Sequence, residues 1–235
     1  FHGKKLPVLS YSKTADRIET PNYNVSVPEG TTAKEVIEKY IKSIGGKAKL
    51  EAAKSYAMKA TAEMQGMKLE LEMKKTTNNQ FMQDVKMMGN SMSKQVLNGD
   101  GGYMVAQGQH KDFSEEEVMK IKEESALFPE LNYTKLDGIS LEGMEIVGDK
   151  NAYKLKVNDI KSAFYDVETG LKLQEINITE IQGQQITSTS NFENYQEVDG
   201  ILFPFKLIQT VGPQNFEFIV SEIKINDGVS DVDFE

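Results

Sequence analysis

Between Tyr56 and Met73 the chain alternates apolar and polar residues with a period of two. Tyr56, Met58, Ala60, Ala62 and Met64 share one phase, and Lys59, Thr61 and Glu63 the other. After Gln65-Gly66 the pattern returns, with Met67, Leu69, Leu71 and Met73 set against Lys68, Glu70, Glu72 and Lys74. Successive side chains of a strand point to opposite faces. The pattern therefore predicts an antiparallel hairpin with one face in a core and the other in water. Further strands are predicted at residues 80–88, 91–97, 103–107, 141–147, 152–157, 162–166, 171–181 and 185–195. Asn/Gly-rich turns separate them, among them Gly89-Asn90, the run from Asn98 to Gly102, and Gln182-Gly183. Strands at roughly 8–12-residue spacing, with no βαβ unit, indicate a sandwich or barrel.

Two helices interrupt this pattern. Residues 32–44 begin with Thr32 and Glu35, a capping box, and bury Val36, Ile37, Tyr40, Ile41 and Ile44 at three- and four-residue spacing. Gly45-Gly46 ends that helix, and a short helical piece at 48–53 follows. Residues 115–128 begin with a second box, Ser114 and Glu117, and carry Val118, Ile121, Ala126, Leu127 and Phe128 on one side. Pro129 stops this helix. Residues 1–30 contain three prolines and no sustained periodicity. They read as an extended strap or linker, with an edge strand at 23–27, ahead of a domain spanning 31–235. The acidic residues 231–235 read as a solvated tail.

The last long stretch runs from Asn191 to Asn226. Asp199-Gly200 between apolar runs is a strong hairpin signal. Pro204 cannot donate to a ladder and marks an edge position or a bend. Phe216, Phe218 and Val220 share one phase, which then shifts onto Ile223 and Ile225.

The run Tyr195-x-x-Val198-Asp199-Gly200-Ile201-x-Phe203-Pro204, followed by the strand ending Ile223-Lys224-Ile225-Asn226, resembles the closing strands of the LolA/LolB-like lipoprotein-carrier superfamily. Ile44-Gly45-Gly46-Lys47 resembles the end of that superfamily's first helix, and the likeness extends from about Ala33 to the C-terminus. It implies a mainly β fold: a curved, incomplete antiparallel barrel with two main helices on its concave side, lids over an apolar cavity. It also implies a bacterial envelope location, periplasmic or outer-membrane-associated. The arrangement further resembles the C-terminal domain attached to some insulinase-like zinc peptidases. The start at Phe1, without Met or signal peptide, then reads as a piece of something longer, with any peptidase activity upstream. Carriers of this kind latch their lid with an arginine. The only arginine here is Arg17, outside the barrel region, and a lysine replaces a guanidinium only as a point charge.

Composition narrows the chemistry. With 36 acidic and 27 basic residues the formal net charge is −9, which argues against nucleic acid as a partner. There is no cysteine, and His2 and His110 are the only histidines. Neither has a second ligand at metal spacing, and His110 in Gly-Gln-His-Lys reads as a solvated loop residue. Asn98-Gly99-Asp100 lacks the oxygen series of a calcium loop and reads as a turn. No nucleophile–base motif is present, so no catalytic residue, metal or cofactor is assigned. No apolar run approaches the ~20 residues of a membrane helix.

Nine of the 11 methionines lie between Met58 and Met104. Methionine adapts to irregular apolar partners and equally fills ordinary cores, so these form either a cavity wall or core packing. The candidate cavity residues are Met58, Met67, Leu69, Leu71 and Met73, facing Val118, Ile121 and Phe128 across a gap. Phe203, Phe205, Phe216 and Phe218 line the same space or support its wall. Two expectations follow: a non-catalytic module for lipid, lipidated protein or apolar peptide, or a structural domain whose cavity is filled by its own side chains and which docks to a peptidase.

Overall fold

The computed structural model describes residues 10–11, 17–18, 26–64, 66–133, 135, 138–181 and 184–235. Two short strands, β1 (Ser10–Tyr11) and β2 (Arg17–Ile18), pair antiparallel in a sheet of their own. Of the edge strand expected at 23–27, residues 23–25 lie outside the described residues, and Ser26 and Val27 belong to no strand. The turn expected at Gln182-Gly183 also lies outside them.

Helix α1 (Ala33–Ser43) starts where its capping box places it: Glu35 N donates to Thr32 Oγ1 at 3.2 Å, and Thr32 N donates to Glu35 Oε2 at 2.8 Å. It ends at a tight crossing. Gly45 has φ +139°, and a Cβ there would lie 2.7 Å from the Gly200 carbonyl oxygen, so a side chain is excluded on both counts. Helix α2 (Lys47–Ala52) follows directly.

The remaining strands form one antiparallel sheet. Its first arm is a meander of β3 (Ser55–Met64), β4 (Met67–Thr76), β5 (Gln80–Met87), β6 (Asn90–Asn98), β7 (Gly101–Ala106) and β8 (Gln109–Asp112). Helices α3 (Glu115–Glu124) and α4 (Glu130–Tyr133) then connect to the second arm. That arm comprises β9 (Ser140–Val147), β10 (Lys150–Asn158), β11 (Lys161–Asp166), β12 (Lys172–Ile181), β13 (Gln184–Val198), β14 (Ile201–Val211) and β15 (Gln214–Ile225). The arms join where β15 pairs with β3, giving a 13-stranded sheet with β8 and β9 at its edges.

The sheet is strongly curved. Met58 on β3 and Leu155 on β10 belong to one core cluster with α1, although their strands stand six positions apart in the sheet. In a flat sheet that separation would be about 29 Å. Curvature brings both arms onto α1, whose Val36, Ile37, Tyr40 and C-terminal Ile44 are buried in the cluster. The devices that bend the sheet match the sequence signals. Asp199 (φ +52°) and Gly200 (φ +78°) form the β13–β14 turn with both central residues left-handed, as a tight hairpin requires. The phase shift from Val220 to Ile223 is a register shift in β15 against β3. Pro204 lies where β14 parts from β15. Lys206 to Val211 pair with β15, whereas Ile201 to Phe205 lie ahead of that pairing. On that open side Leu202 N donates to the Ile44 carbonyl at 2.8 Å, so the end of α1 takes the place of a strand partner.

Three sequence expectations need correction. The stretch holding His110 is the edge strand β8, not a loop. Its four polar residues are all exposed and carry no alternation, and the backbone ladder to β7 defines it; polar side chains suit an edge. His110 stacks on Tyr103 at 5.0 Å between ring centroids, with Nε2 3.0 Å from Asp112 Oδ1. Helix α3 stops at Glu124, not at residue 128: Ser125 N donates to the Ile121 carbonyl at 2.8 Å as the last turn. Phe128 precedes a proline, which disfavours helical backbone. Pro129 sits instead at the start of α4, where a missing N–H costs nothing. Finally, the acidic tail is structured. Residues Asp231–Phe234 form a 3-10 helix whose Phe234 is buried against Met82 and Val96, with Asp233 paired to Lys74 at 2.5 Å.

Candidate ligand-binding site

The candidate cavity residues divide between two clusters. Met58, Leu69, Phe203 and Phe218 are buried in the main core, with Leu71, Met73, Phe128, Phe205 and Phe216 half-buried against it. Val118 and Ile121 instead join Phe81, Leu97 and Phe113, so α3 covers the first arm of the sheet. Met73 alone of the candidates touches both clusters. Met67 is half-buried and lies in neither. Sheet and covering segments approach each other at two points of that space: Met73 packs against the cluster that holds Val118, and the Phe128 ring lies 6.1 Å from that of Phe203. The methionines do not act as one wall. Met58 and Met82 are buried on opposite sides of the sheet, in clusters with α1 and with the C-terminal 3-10 helix respectively, while Met88 is exposed.

Charges inside the curve had no counterpart in the sequence reading. Lys172 on β12 pairs with Glu130 on α4 at 2.8 Å and with Glu175 at 3.4 Å, and Lys161 pairs with Glu175 at 3.4 Å. All four side chains are largely buried. Tyr40, Tyr133, Tyr165 and Tyr195 surround them, and Tyr195 Oη donates to the Lys172 carbonyl at 2.8 Å. Burial opposes the Lys172 charge, but Glu130 and then Glu175 outweigh it and hold its pKa well above the ordinary lysine value. Burial likewise raises Glu175, but Lys172 and Lys161 win and bring it down to about 2. Helix α4, which also contacts α1, is thus tied to the sheet by a lysine–glutamate pair. An available signal was Lys172-Leu-Gln-Glu175, in which charged residues occupy both phases of a strand opposite the wholly buried Ala163 to Asp166.

The low Glu175 pKa has a consequence in acid. A carboxylate whose folded pKa lies below its unfolded value contributes stability that is present above the unfolded value, ordinarily 4.5, and is lost as pH falls toward about 2. Urea midpoints are expected to fall between pH 5 and pH 3 (about the upper part of that window), and Glu175→Gln is expected to flatten the fall. An equally steep fall in Glu175→Gln would locate the acid sensitivity elsewhere.

At one end of the curve lies an open cleft of about 470 Å³ between α2, the α3–α4 connection and the β4–β5 turn. Leu50, Ala53, Leu127, Phe128 and Leu131 form its apolar lining, and Thr76, Thr77 and Asn79 one polar edge. Lys54, Lys122 and Lys135 stand around it against the single acidic Glu51. The volume falls in the range of roughly 300–1,000 Å³ that small-molecule sites occupy. Among the described residues, no cluster of His, Asp or Glu could hold a metal ion, and no helix is long and apolar enough to cross a membrane.

A LolA superfamily protein from Nitrosomonas europaea superposes on this chain with a TM-score of 0.54 at 12% identity, covering 88% of this chain and 98% of that one. The fold is LolA-like. A DUF1329 family protein from Desulfovibrio piger gives a TM-score of 0.51 at 12% identity, over 86% of this chain and 96% of that one. At such identity the likeness is one of fold alone. No protein-family model and no curated protein matches the sequence. In this LolA-like chain the open sheet, the helices inside its curve and the cleft at its end share one architecture. Lys172 and Glu130 join α4 to the sheet.

Proposed function

We propose that this domain is a non-catalytic binding module. Its ligand is a lipid, a lipidated protein or an apolar peptide, held between the concave face and the helices. One observation carries the reading: an apolar-lined cleft opens at the end of a LolA-like half-barrel, bounded by the segments that cover the curve. Residues 31–235 form this module, and residues 1–30 lead into it as a strap or linker. The bacterial envelope is the proposed location, and an insulinase-like zinc peptidase the proposed neighbour; the sequence resemblance supports both. A second reading has its own support. The main core joins α1 to both arms through Ile37, Tyr40, Leu155 and Tyr165, as expected of a structural domain filled by its own side chains.

An environment-sensitive fatty-acid probe separates the two. The binding reading predicts micromolar affinity, about −8 kcal/mol. Leu71→Glu, on the inward row beside Met73, is expected to abolish it by placing an unpaired carboxylate against apolar walls. Circular dichroism and the thermal transition of the variant check that its sheet stays intact. A wild-type protein that ignores the probe supports the self-filled reading instead.

A further inference from the structure

Lys75 continues the inward row of β4 after Leu69, Leu71 and Met73, and its register partners are Tyr56 on β3 and Phe81 on β5. Its ammonium lies 5.7 Å from the centre of the Phe81 ring, and among the described residues no carboxylate comes within ion-pair distance of it. The charges that act on it are Lys172, Lys161, Glu130 and Glu175. Both glutamates are already engaged by the other two lysines. This interior group therefore carries one positive charge in excess, inside a chain whose formal net charge is −9. A hydroxyl is left over in the same group: Tyr165 Oη is fully buried and has no hydrogen-bond partner among the described residues. Buried polar groups are normally satisfied, and an unpaired cation in such a place is costly. Burial first, then Lys172 and Lys161, lower the Lys75 pKa to about 8, so it still carries its proton at neutral pH.

Lys75 is half-buried beside the cleft, outside its lining. Thr76 and Thr77, next in the chain, line the cleft. The Tyr56 ring lies 5.5 Å from that of Phe203, which in turn neighbours Phe128 of the cleft wall. We infer that Lys75 binds the carboxylate of a long-chain fatty acid whose alkyl chain packs on the apolar cleft wall. The inference rests on the binding-module reading and adds the headgroup chemistry to it. A carboxylate supplies the missing negative charge and accepts a charge-assisted hydrogen bond from the ammonium. A neutral ester of the same chain leaves the cation unpaired.

Competition between the fluorescent probe and either palmitate or methyl palmitate tests this at pH 7. The wild-type chain is expected to bind palmitate at least about tenfold more tightly than the ester. Lys75→Met is expected to lose that preference, keep its affinity for the ester and melt no lower than wild type. Lys75→Arg is expected to retain the preference, since it keeps the positive charge. Equal binding of acid and ester by the wild type, or a preference that survives in Lys75→Met, overturns the role of Lys75 and leaves the binding module standing. Failure of both ligands to displace or replace the probe overturns the module and this inference together.

Discussion

Glu130→Ala is expected to cost about 3–5 kcal/mol of folding stability. Glu130 is 3% exposed, and its carboxylate sits 2.8 Å from the ammonium of Lys172. Without it, Lys172 keeps only Glu175, at 3.4 Å and shared with Lys161. The penalty is that of a buried cation losing its partner, which exceeds the net worth of the intact pair. The double variant Glu130→Ala/Lys172→Met is therefore expected to recover much of the loss, because it removes the stranded charge. Urea unfolding of the two single variants and the double variant measures this directly. As a contrast, Lys34→Ala breaks the exposed pair with Glu38 at 3.8 Å and is expected to change stability by less than about 1 kcal/mol. If Glu130→Ala behaves like Lys34→Ala, the α4 latch is not a buried ion pair in solution.

Ile37→Ala is expected to cost about 2–5 kcal/mol. Ile37 is 1% exposed on the face of α1 that meets both arms of the sheet. Truncation removes apolar contact and leaves a space that the surrounding strands cannot all close. Lys39, on the outer face of α1, is the comparison. Its ammonium donates to the Val167 carbonyl at 2.6 Å from an exposed site, so Lys39→Ala is expected to cost about 1 kcal/mol or less. Equal losses at the two positions would mean that α1 does not organise the core.

Much of this architecture was legible because its causes are local. Period-two alternation in β3 and β4, the capping boxes of Thr32 and Ser114, and the left-handed turn at Asp199-Gly200 each act over a few residues. What escaped was set by distant partners. β8 is a strand because β7 offers it a ladder, and its own side chains show no face. The C-terminal 3-10 helix is fixed by Lys74, Met82 and Val96, more than a hundred residues away in the chain. The same holds for the site. The apolar rows could be read from phase, but their division into two clusters depends on where α3 stops, which is set at Ser125 and Pro129. The pairing of Lys172 with Glu130 spans 42 residues and has no local signature.

The proposed function has the LolA-like half-barrel receive an acyl ligand. Native mass spectrometry of gently purified protein tests it most directly. A population heavier than the bare chain by the mass of a fatty acid or lipid is expected. That population should be released by collisional activation and be absent from Leu71→Glu. A single species at the mass of the bare chain, unchanged after incubation with palmitate, would contradict it.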